Sequence, residues 1–350
     1  MSCIICGKDE HVNEQGFCAA CAEKLTSLSD SSSALRKLSQ NLSRSEYRDS
    51  DLGSAAGKPT DGTDAKTSSV LFRFGQSEQC SLRYPFSVAI GPKGRIMVLD
   101  QPEKNEYRVT IFNPEGNYEG VFLCCAKGDG PNELKYPKGI AIDLHGSLYL
   151  PDAGNHRIQR FNAVGACLGP VGKLGQGPGE FDYPCDVEID EAGCLYVADT
   201  YNDRIQKLTP KGIPLLEIGG EQANLDGPLG VTVDEQGNIY VADTNHHQIV
   251  KYDSQGRQLL ILGSEGTGHG EMTLPSDVRV DEDGAIYVAD QDNMRIQKFS
   301  PQGSFMAEFA LSTIMESSQT PQGDIAVDDD GCLILCDKYA NIVVKAELYE

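Results

Sequence analysis

Four cysteines near the start of the chain form two Cys-x-x-Cys pairs. Cys3 pairs in sequence with Cys6, and Cys18 with Cys21, with eleven residues between the two pairs. Two such pairs can place four thiolates tetrahedrally around one Zn²⁺ ion. So short a segment has almost no apolar core, so the metal would supply its folding free energy, on the order of 10–16 kcal/mol. Residues 1–24 therefore predict a structural zinc site, with a redox-active dithiol or an iron–sulfur site as alternatives.

Three aspartates at one shared position of an internal repeat form the second candidate site. In the six units this position is occupied by Ser87, Gly139, Asp186, Gly230, Asp277 and Asp324. Crowded carboxylates raise one another's pKa unless a cation lies between them, and an oxygen-rich ring suits Ca²⁺ or Mg²⁺. A basic group on a ligand or partner would serve equally. In the structural alternative, each aspartate caps the turn at which its strand begins.

The repeat that aligns these positions spans Ser81 to Glu350. Each unit contains an apolar run, a turn that ends in glycine, a second run that ends in aspartate, and a third run. The closing aspartates, at successive steps of 52, 47, 44, 47 and 47 residues, are Asp100, Asp152, Asp199, Asp243, Asp290 and Asp337. A period of this length without a helical pattern indicates one small antiparallel sheet per unit, stacked on its neighbours.

The two ends of the repeat region predict how the sheets close into a ring. Each unit contains four predicted strands, but the last unit ends after its third, near Ile342–Ala346. A lone match to a fourth strand, Val70–Phe74, precedes the first unit. Pairing these two segments would leave no open edge between the first and last units. We predict an all-β, six-bladed β-propeller over residues 70–350, closed by this strand clasp.

The first strands of the six blades would meet at a central channel, with the aligned position at one mouth. Ser87, Asp186, Asp277 and Asp324 are therefore the candidate ligand-binding residues. Deeper in the channel, Glu188 and Arg279 replace the alanine found in three other units. An unpaired charge there would be costly, so we expect these two residues to pair with each other.

Residues shared by many units are expected to serve the scaffold. The closing aspartates, with Arg157, Arg204 and Arg295 five residues beyond three of them, are predicted to brace the following loop. His156 and His247 occupy sister positions in that loop and receive the same interpretation.

The last connection, ALSTIMESSQT, lacks the glycine-rich pattern of the others. It offers Leu311, Ile314 and Met315 on a predicted exposed loop, which favours a partner contact. In the alternative, these side chains are tucked beneath the loop.

Charge and the N-terminal sequence limit the classes of partner. The chain has 30 basic and 52 acidic residues and a net charge of −22, and residues 70–350 carry 22 and 42 of them. Binders of nucleic acid need basic surface to displace counterions, so a metal ion, a basic or neutral protein surface, or a neutral ligand is favoured.

No apolar run is long enough to span a membrane, and MSCIICGKDE does not resemble a signal peptide. These features predict a cytoplasmic protein with reduced or metal-bound cysteines.

Two segments carry a family resemblance. PLGVTVDEQGNIYVADTNHHQIVKYDSQG and PKGIAIDLHGSLYLPDAGNHRIQRFNAVG are similar to NHL repeats, and this resemblance implies a six-bladed propeller. The cysteine pairs resemble a zinc ribbon. Residues 25–69 form a Ser-rich linker in which Leu28, Leu35 and Leu42 are compatible with a short helix. The layout resembles that of tripartite-motif ubiquitin ligases, although four cysteines are too few for a RING or B-box.

The propeller resemblance extends to enzymes. In the peptidyl-hydroxyglycine amidating lyases, zinc-binding histidines follow the proline that opens a unit. Here those positions are Phe86, Lys138, Cys185, Leu229, Ser276 and Gln322. Because none is histidine, that activity is not carried over. Lactonase-like propellers hold calcium with carboxylates and amides, and only the carboxylates have counterparts here.

The sequence therefore favours a non-catalytic cytosolic interaction module that binds a protein or ligand through an acidic propeller face. The alternative is a metal-dependent hydrolase or lyase centred on the aspartate ring. A third interpretation, implied by the layout alone, is a ubiquitin-ligase-type adaptor.

Overall fold

A computed structural model describes residues 68–220, 224–315 and 324–348. The predicted zinc cysteines Cys3, Cys6, Cys18 and Cys21 and the linker lie outside these ranges. The described chain is all-β and forms a six-bladed propeller from five four-stranded sheets and one three-stranded sheet. The predicted fold class is thus confirmed. None of the helices in the described ranges has the length and hydropathy needed to cross a bilayer.

The blades follow one another along the chain. Blade 1 comprises β2 (Ser87–Gly91), β3 (Arg95–Glu103), β4 (Glu106–Phe112) and β5 (Tyr118–Ala126). Blade 2 comprises β6 (Ala141–Ile142), β7 (Leu148–Asp152) and β8 (Arg157–Phe161). Blade 3 comprises β9 (Pro184–Ile189), β10 (Leu195–Asp199), β11 (Arg204–Leu208) and β12 (Pro214–Gly219). Blade 4 comprises β13 (Val231–Val233), β14 (Ile239–Asp243), β15 (Gln248–Tyr252) and β16 (Gln258–Leu262).

The remaining elements complete the ring. Blade 5 comprises β17 (Pro275–Val280), β18 (Ile286–Asp290), β19 (Arg295–Phe299) and β20 (Phe305–Ala310). Blade 6 comprises β21 (Ile325–Val327), β22 (Leu333–Asp337), β23 (Ile342–Leu348) and β1 (Ser68–Phe74). The one-turn helix α1 spans Leu311–Ile314, and short 3-10 turns span Pro92–Gly94, Ala153–Asn155, Thr200–Asn202 and Thr244–His246.

The clasp between the two ends of the repeat region is formed as predicted. Strand β1 pairs with β23 in antiparallel register, with Val70 opposite Ala346 and Phe74 opposite Val343. The Phe74 ring then packs edge-on against Phe112 of blade 1, with ring centroids 4.8 Å apart. Blade 6 is therefore completed by β1, the first strand of the described residues, and is joined through an apolar contact to blade 1.

Each second strand from blade 2 to blade 6 is buried along its whole length, because a blade is packed between two neighbours. Four of these strands bury a tyrosine, and a buried hydroxyl group needs a partner. Each hydroxyl donates to an aspartate of the preceding turn: Tyr149 to Asp143, Tyr196 to Asp190, Tyr240 to Asp234 and Tyr287 to Asp281. The turn between the first and second strands is thereby tied to the core.

The closing aspartates brace the loops as the sequence predicts. In blade 3, Asp199 accepts the backbone N–H of Asp182 at 2.7 Å and the Nε–H of Arg204 at 2.8 Å. The other end of that guanidinium donates to the carbonyl oxygens of Gly177 and Glu180. Equivalent bonds join Arg157 to Asp152 and Arg295 to Asp290. One buried ion pair therefore holds the loop that enters the blade and the loop that follows its second strand.

Two predictions about connections are wrong. Blade 2 lacks a fourth strand: Pro170 has no N–H to donate, and its segment makes only isolated bridges to β8.

In the last connection, Leu311, Ile314 and Met315 are 4 %, 0 % and 6 % exposed, whereas an exposed loop was predicted. Residues 311–314 form the helical turn α1, which buries these side chains in the core between blades 5 and 6.

Candidate functional site

The structure brings the predicted mouth residues together and gives each aspartate a partner in the next blade. Asp186 Oδ2 accepts the N–H of Val231 at 3.0 Å, and Asp277 Oδ2 accepts the N–H of Ile325 at 2.9 Å. Ser87 Oγ donates to Asp324 Oδ2 at 2.5 Å. The mouth carboxyls thus connect blade 3 to blade 4, blade 5 to blade 6, and blade 6 to blade 1.

Two of the aspartates also accept the N–H of the next residue in their own strand. Asp186 Oδ1 accepts the N–H of Val187 at 2.9 Å, and Asp277 Oδ1 accepts the N–H of Val278 at 2.8 Å. Both residues lie inside their strands, β9 and β17, so these bonds are not caps of the turns at which the strands begin. The bonds to the neighbouring blades were not predicted, because they join residues more than 40 positions apart.

Glycines at the same position of two other blades make room for the carboxyls. A Cβ atom on Gly139 would lie 2.8 Å from Asp186 Oδ1, and one on Gly230 would lie 2.8 Å from Asp277 Oδ1. Contacts this close would force the neighbouring aspartate to move. Glycine at these two positions is therefore a packing requirement of the adjacent aspartates.

Arg279 supplies the cation that the ring of carboxylates was expected to need. Its Nη1 lies 2.7 Å from Asp277 Oδ1 and 3.4 Å from Asp186 Oδ2. Its Nε donates to the carbonyl oxygen of Ile325 at 3.0 Å. The guanidinium of blade 5 therefore reaches groups of blades 3 and 6.

The predicted pairing of Arg279 with Glu188 is wrong. Glu188 Oε1 instead accepts the N–H of Ile189 at 2.9 Å. Arg279 pairs with the mouth aspartates because Asp277 lies two residues before it on the same strand, and both side chains face the same side.

Burial dominates the protonation of the site. It raises the pKa of Asp277 to about 7, an effect that Arg279 partly offsets and Asp186 reinforces. Burial also raises the pKa of Asp324 well above its usual range, with further contributions from Asp277 and Asp186. The pKa values of Asp186 and Glu188 are raised for the same first reason. Burial therefore favours the neutral form of these carboxyl groups, and the positive charge of Arg279 opposes this effect.

The guanidinium responds in the opposite sense. Burial alone would lower the pKa of Arg279, but attraction to Asp277, Asp186 and Glu188 outweighs it and raises the pKa. Arg279 is thus a permanent cation in the midst of four carboxyl groups.

The mouth does not fit a metal site. In residues 68–220, 224–315 and 324–348, no group of three or more His, Cys, Asp or Glu side chains could hold a metal ion. Both oxygens of Asp186 and Asp277 accept backbone N–H groups, and Arg279 occupies their remaining side. A Ca²⁺ or Mg²⁺ ion would have to displace these bonds.

A thiol lies beside the mouth but is not activated. Burial raises the pKa of Cys185 to about 11, although the charge of Lys138 works against this rise. Because the thiolate is the nucleophilic form, Cys185 remains a neutral thiol at physiological pH.

Comparisons with known proteins agree with the repeat and the fold. The NHL-repeat model matches residues 225–252 and 272–299, and the chain contains NHL repeats. No curated protein sequence matches the chain.

Among solved structures, streptogramin B lyase is similar at 15 % identity and a TM-score of 0.54, over 75 % of this chain and 78 % of that one. Virginiamycin B lyase from Staphylococcus aureus has 15 % sequence identity and a TM-score of 0.54, over 76 % of this chain and 83 % of that one. A gluconolactonase from Xanthomonas campestris has 17 % sequence identity and a TM-score of 0.55, over 76 % of this chain and 87 % of that one. At these identities the likeness shows the fold alone.

The raised pKa of Asp324 predicts a pH-dependent stability. A carboxyl group whose pKa in the folded protein lies above its usual value of 3.8 stabilises the folded state fully below pH 3.8. This contribution to stability is lost as the pH rises through the pKa of the folded protein. Asp324→Asn keeps a polar partner for Ser87 but cannot ionise. In urea unfolding between about pH 5 and about pH 8, the variant should therefore gain stability relative to the wild type as pH rises.

Asp253→Asn is the control of opposite sign. Backbone N–H groups lower the pKa of the Asp253 carboxyl, so its contribution is already complete above about pH 5. This variant should show a constant offset across the same range. A constant offset for Asp324→Asn as well would contradict the assigned shift.

Proposed function

We propose that this protein is a non-catalytic interaction module whose propeller binds a protein or ligand through its acidic surface. This proposal rests on one observation: the buried carboxyl groups of the channel mouth already have hydrogen-bond and ion-pair partners within the protein. Arg279 and backbone N–H groups of neighbouring blades already engage Asp186 and Asp277. Carboxylates that hold a scaffold together are not available to bind a metal or to move protons on a substrate.

The acidic surface lies at the other ends of the first strands. The turns that follow these strands in blades 3 to 6 carry Glu191, Glu235, Glu282 and Asp329, all exposed. Within the described ranges, none of the four has an ion-pair partner. Their summed negative field attracts basic partner surfaces and steers their approach. The propeller face opposite the mouth aspartates is therefore the proposed contact face.

A metal-dependent hydrolase or lyase is the second candidate. Two observations favour it: the solved structures of similar fold include two lyases and a gluconolactonase, and strongly raised carboxyl pKa values are common at catalytic sites. The same fold serves unrelated functions, however, and a buried structural ion-pair network raises pKa values equally well.

The proposal for the N-terminal segment concerns its four cysteines. We propose that Cys3, Cys6, Cys18 and Cys21 hold one structural Zn²⁺ ion and that the Ser-rich linker lets this segment and the propeller engage partners independently. A cytoplasmic location fits the described cysteines, which are all free thiols. An adaptor role of the ubiquitin-ligase type rests only on the similar layout.

Calorimetric titration with CaCl₂ and MgCl₂ separates the two candidate functions. If the protein is a non-catalytic interaction module, the titration of the full-length wild type should give no saturable heat. If it is a metal-dependent enzyme, the titration should show saturable binding, and Asp277→Asn should remove it. Asp253→Asn, on the turn between β15 and β16, serves as the control. Binding lost in Asp277→Asn but kept in Asp253→Asn would refute the non-catalytic assignment.

Metal analysis tests the zinc proposal. The purified full-length chain should contain one Zn²⁺ per molecule, and Cys18→Ser should lose it, because three thiolates no longer close the tetrahedral site. Cys124→Ser provides the matched control, since Cys124 is an exposed free thiol of blade 1. A wild-type chain without zinc, or zinc retained by Cys18→Ser, would show that the proposal is wrong.

A further inference from the structure

Four pairs of neighbouring blades share one hydrogen bond at the point where the second blade of the pair begins. The acceptor is the side chain of the residue directly before the third strand of one blade, and the donor is a backbone N–H of the next blade. The four acceptor residues have a left-handed backbone, with φ between 54° and 60°, and are His156, Asp203, His247 and Asn341. The donors, each directly before a proline, are in the same order Tyr183, Gly227, Leu274 and Tyr84. We call these four contacts the junction bonds.

The four acceptors differ in how they respond to protons. Asp203 Oδ1 and Asn341 Oδ1 accept at 2.9 Å and 2.8 Å, and such oxygen atoms still accept in mildly acidic solution. The other two acceptors are Nδ1 of His156, at 3.1 Å, and Nδ1 of His247, at 3.0 Å. A ring nitrogen accepts only while it carries no proton. Histidine side chains gain a proton between about pH 8 and about pH 5, and both ring nitrogens are then donors.

A carboxyl group of the next blade can engage each histidine once it is protonated. Asp182 Oδ1 lies 3.1 Å from Nδ1 of His156. Two acceptors at this distance repel each other while the ring is neutral, and they attract each other when Nδ1 carries a proton. At the second junction Thr273 takes the place of Asp182. There, burial raises the pKa of Asp292, and the charge of His247 opposes this rise.

The other charged groups near the two rings already have partners. The ion pairs of the adjacent loops are Arg157–Asp152, His246–Asp243 and Arg295–Asp290. The ammonium group of Lys138 lies over the ring of Tyr183, 5.7 Å from its centre. Among the described residues, Asp182 and Asp292 are therefore the carboxyl groups that the protonated rings can engage.

We propose that proton uptake by His156 and His247 opens the junction bonds at the entrances of blades 3 and 5. Each Nδ1 becomes a donor and turns to a carboxyl group, so the N–H groups of Tyr183 and Leu274 lose their acceptors. The junction bonds made by Asp203 and Asn341 stay closed over the same pH range. The propeller therefore contains two proton-sensitive junctions and two that acid does not open.

The two proton-sensitive junctions hold the strands that carry the ion pairs of the channel mouth. Tyr183 directly precedes β9, which carries Asp186, and Leu274 directly precedes β17, which carries Asp277 and Arg279. Loss of both junction bonds therefore loosens the entrances of these two strands, where Arg279 contacts both aspartates. This inference goes beyond the proposed binding function, which concerns the opposite face of the propeller.

Amide hydrogen exchange of the full-length protein, resolved residue by residue by NMR, tests this inference. Between about pH 7.5 and about pH 5.5, the protection factors of the Tyr183 and Leu274 amides should fall about ten-fold, the effect of losing roughly one hydrogen bond. The amides of Gly227 and Tyr84 are internal controls, and their protection factors should change less than about two-fold. Unchanged protection of Tyr183 and Leu274 would overturn the proposal. An equal loss at all four amides would also overturn it, because it would indicate a general loosening in acid.

His156→Asn and His247→Asn introduce the residue type that Asn341 provides at its own junction. Asparagine accepts through Oδ1, does not gain a proton in this range and tolerates a left-handed backbone. Each variant should therefore keep its junction amide equally protected at both pH values. His145→Asn is the matched control, because His145 is exposed on the turn between β6 and β7, and it should retain the wild-type loss. A loss that persists in the junction variants, or one that His145→Asn abolishes, would refute the assignment.

Discussion

The structure depends on one constraint: a buried carboxylate must be given hydrogen-bond donors, or its burial is too costly. The propeller meets this constraint by making carboxylates the connectors between segments. Asp199 joins two loops of one blade through Arg204 and a backbone N–H. Asp186 and Asp277 join neighbouring blades at the channel mouth. The acidic composition therefore includes groups that hold the scaffold together as well as groups that cover its surface.

The same constraint distinguishes the buried acidic residues of the mouth from the exposed acidic residues of the turns. At the mouth, burial raises carboxyl pKa values, and Arg279 supplies a fixed positive charge. The exposed acids of the turns, such as Glu191 and Glu235, have neither burial nor a partner among the described residues. The field of the protein therefore arises mainly from the turns, while the mouth is close to internally balanced. This contrast is why the proposed contact surface moves from the aspartate ring to the opposite face.

Much of the fold followed from local patterns. The period of the closing aspartates gave the number of blades, and the lone match at Val70–Phe74 gave the clasp. The sequence also identified the mouth residues, because symmetry brings one repeat position to one place. It did not reveal the partner of Arg279 or the room that Gly139 and Gly230 provide, since these depend on distances between blades. The exposure of Leu311 was mispredicted because a helical turn packs that connection into the core.

The central claim is that Arg279 balances the mouth carboxyls directly, so that no bound cation is needed. A double-mutant cycle with Arg279→Met and Asp277→Asn, measured by urea unfolding of the full-length protein, tests it. Removing only the arginine leaves buried charges uncompensated, and removing both groups relieves part of that cost. The account predicts a coupling free energy of about 1–3 kcal/mol. Effects that add to within about 0.5 kcal/mol would contradict it.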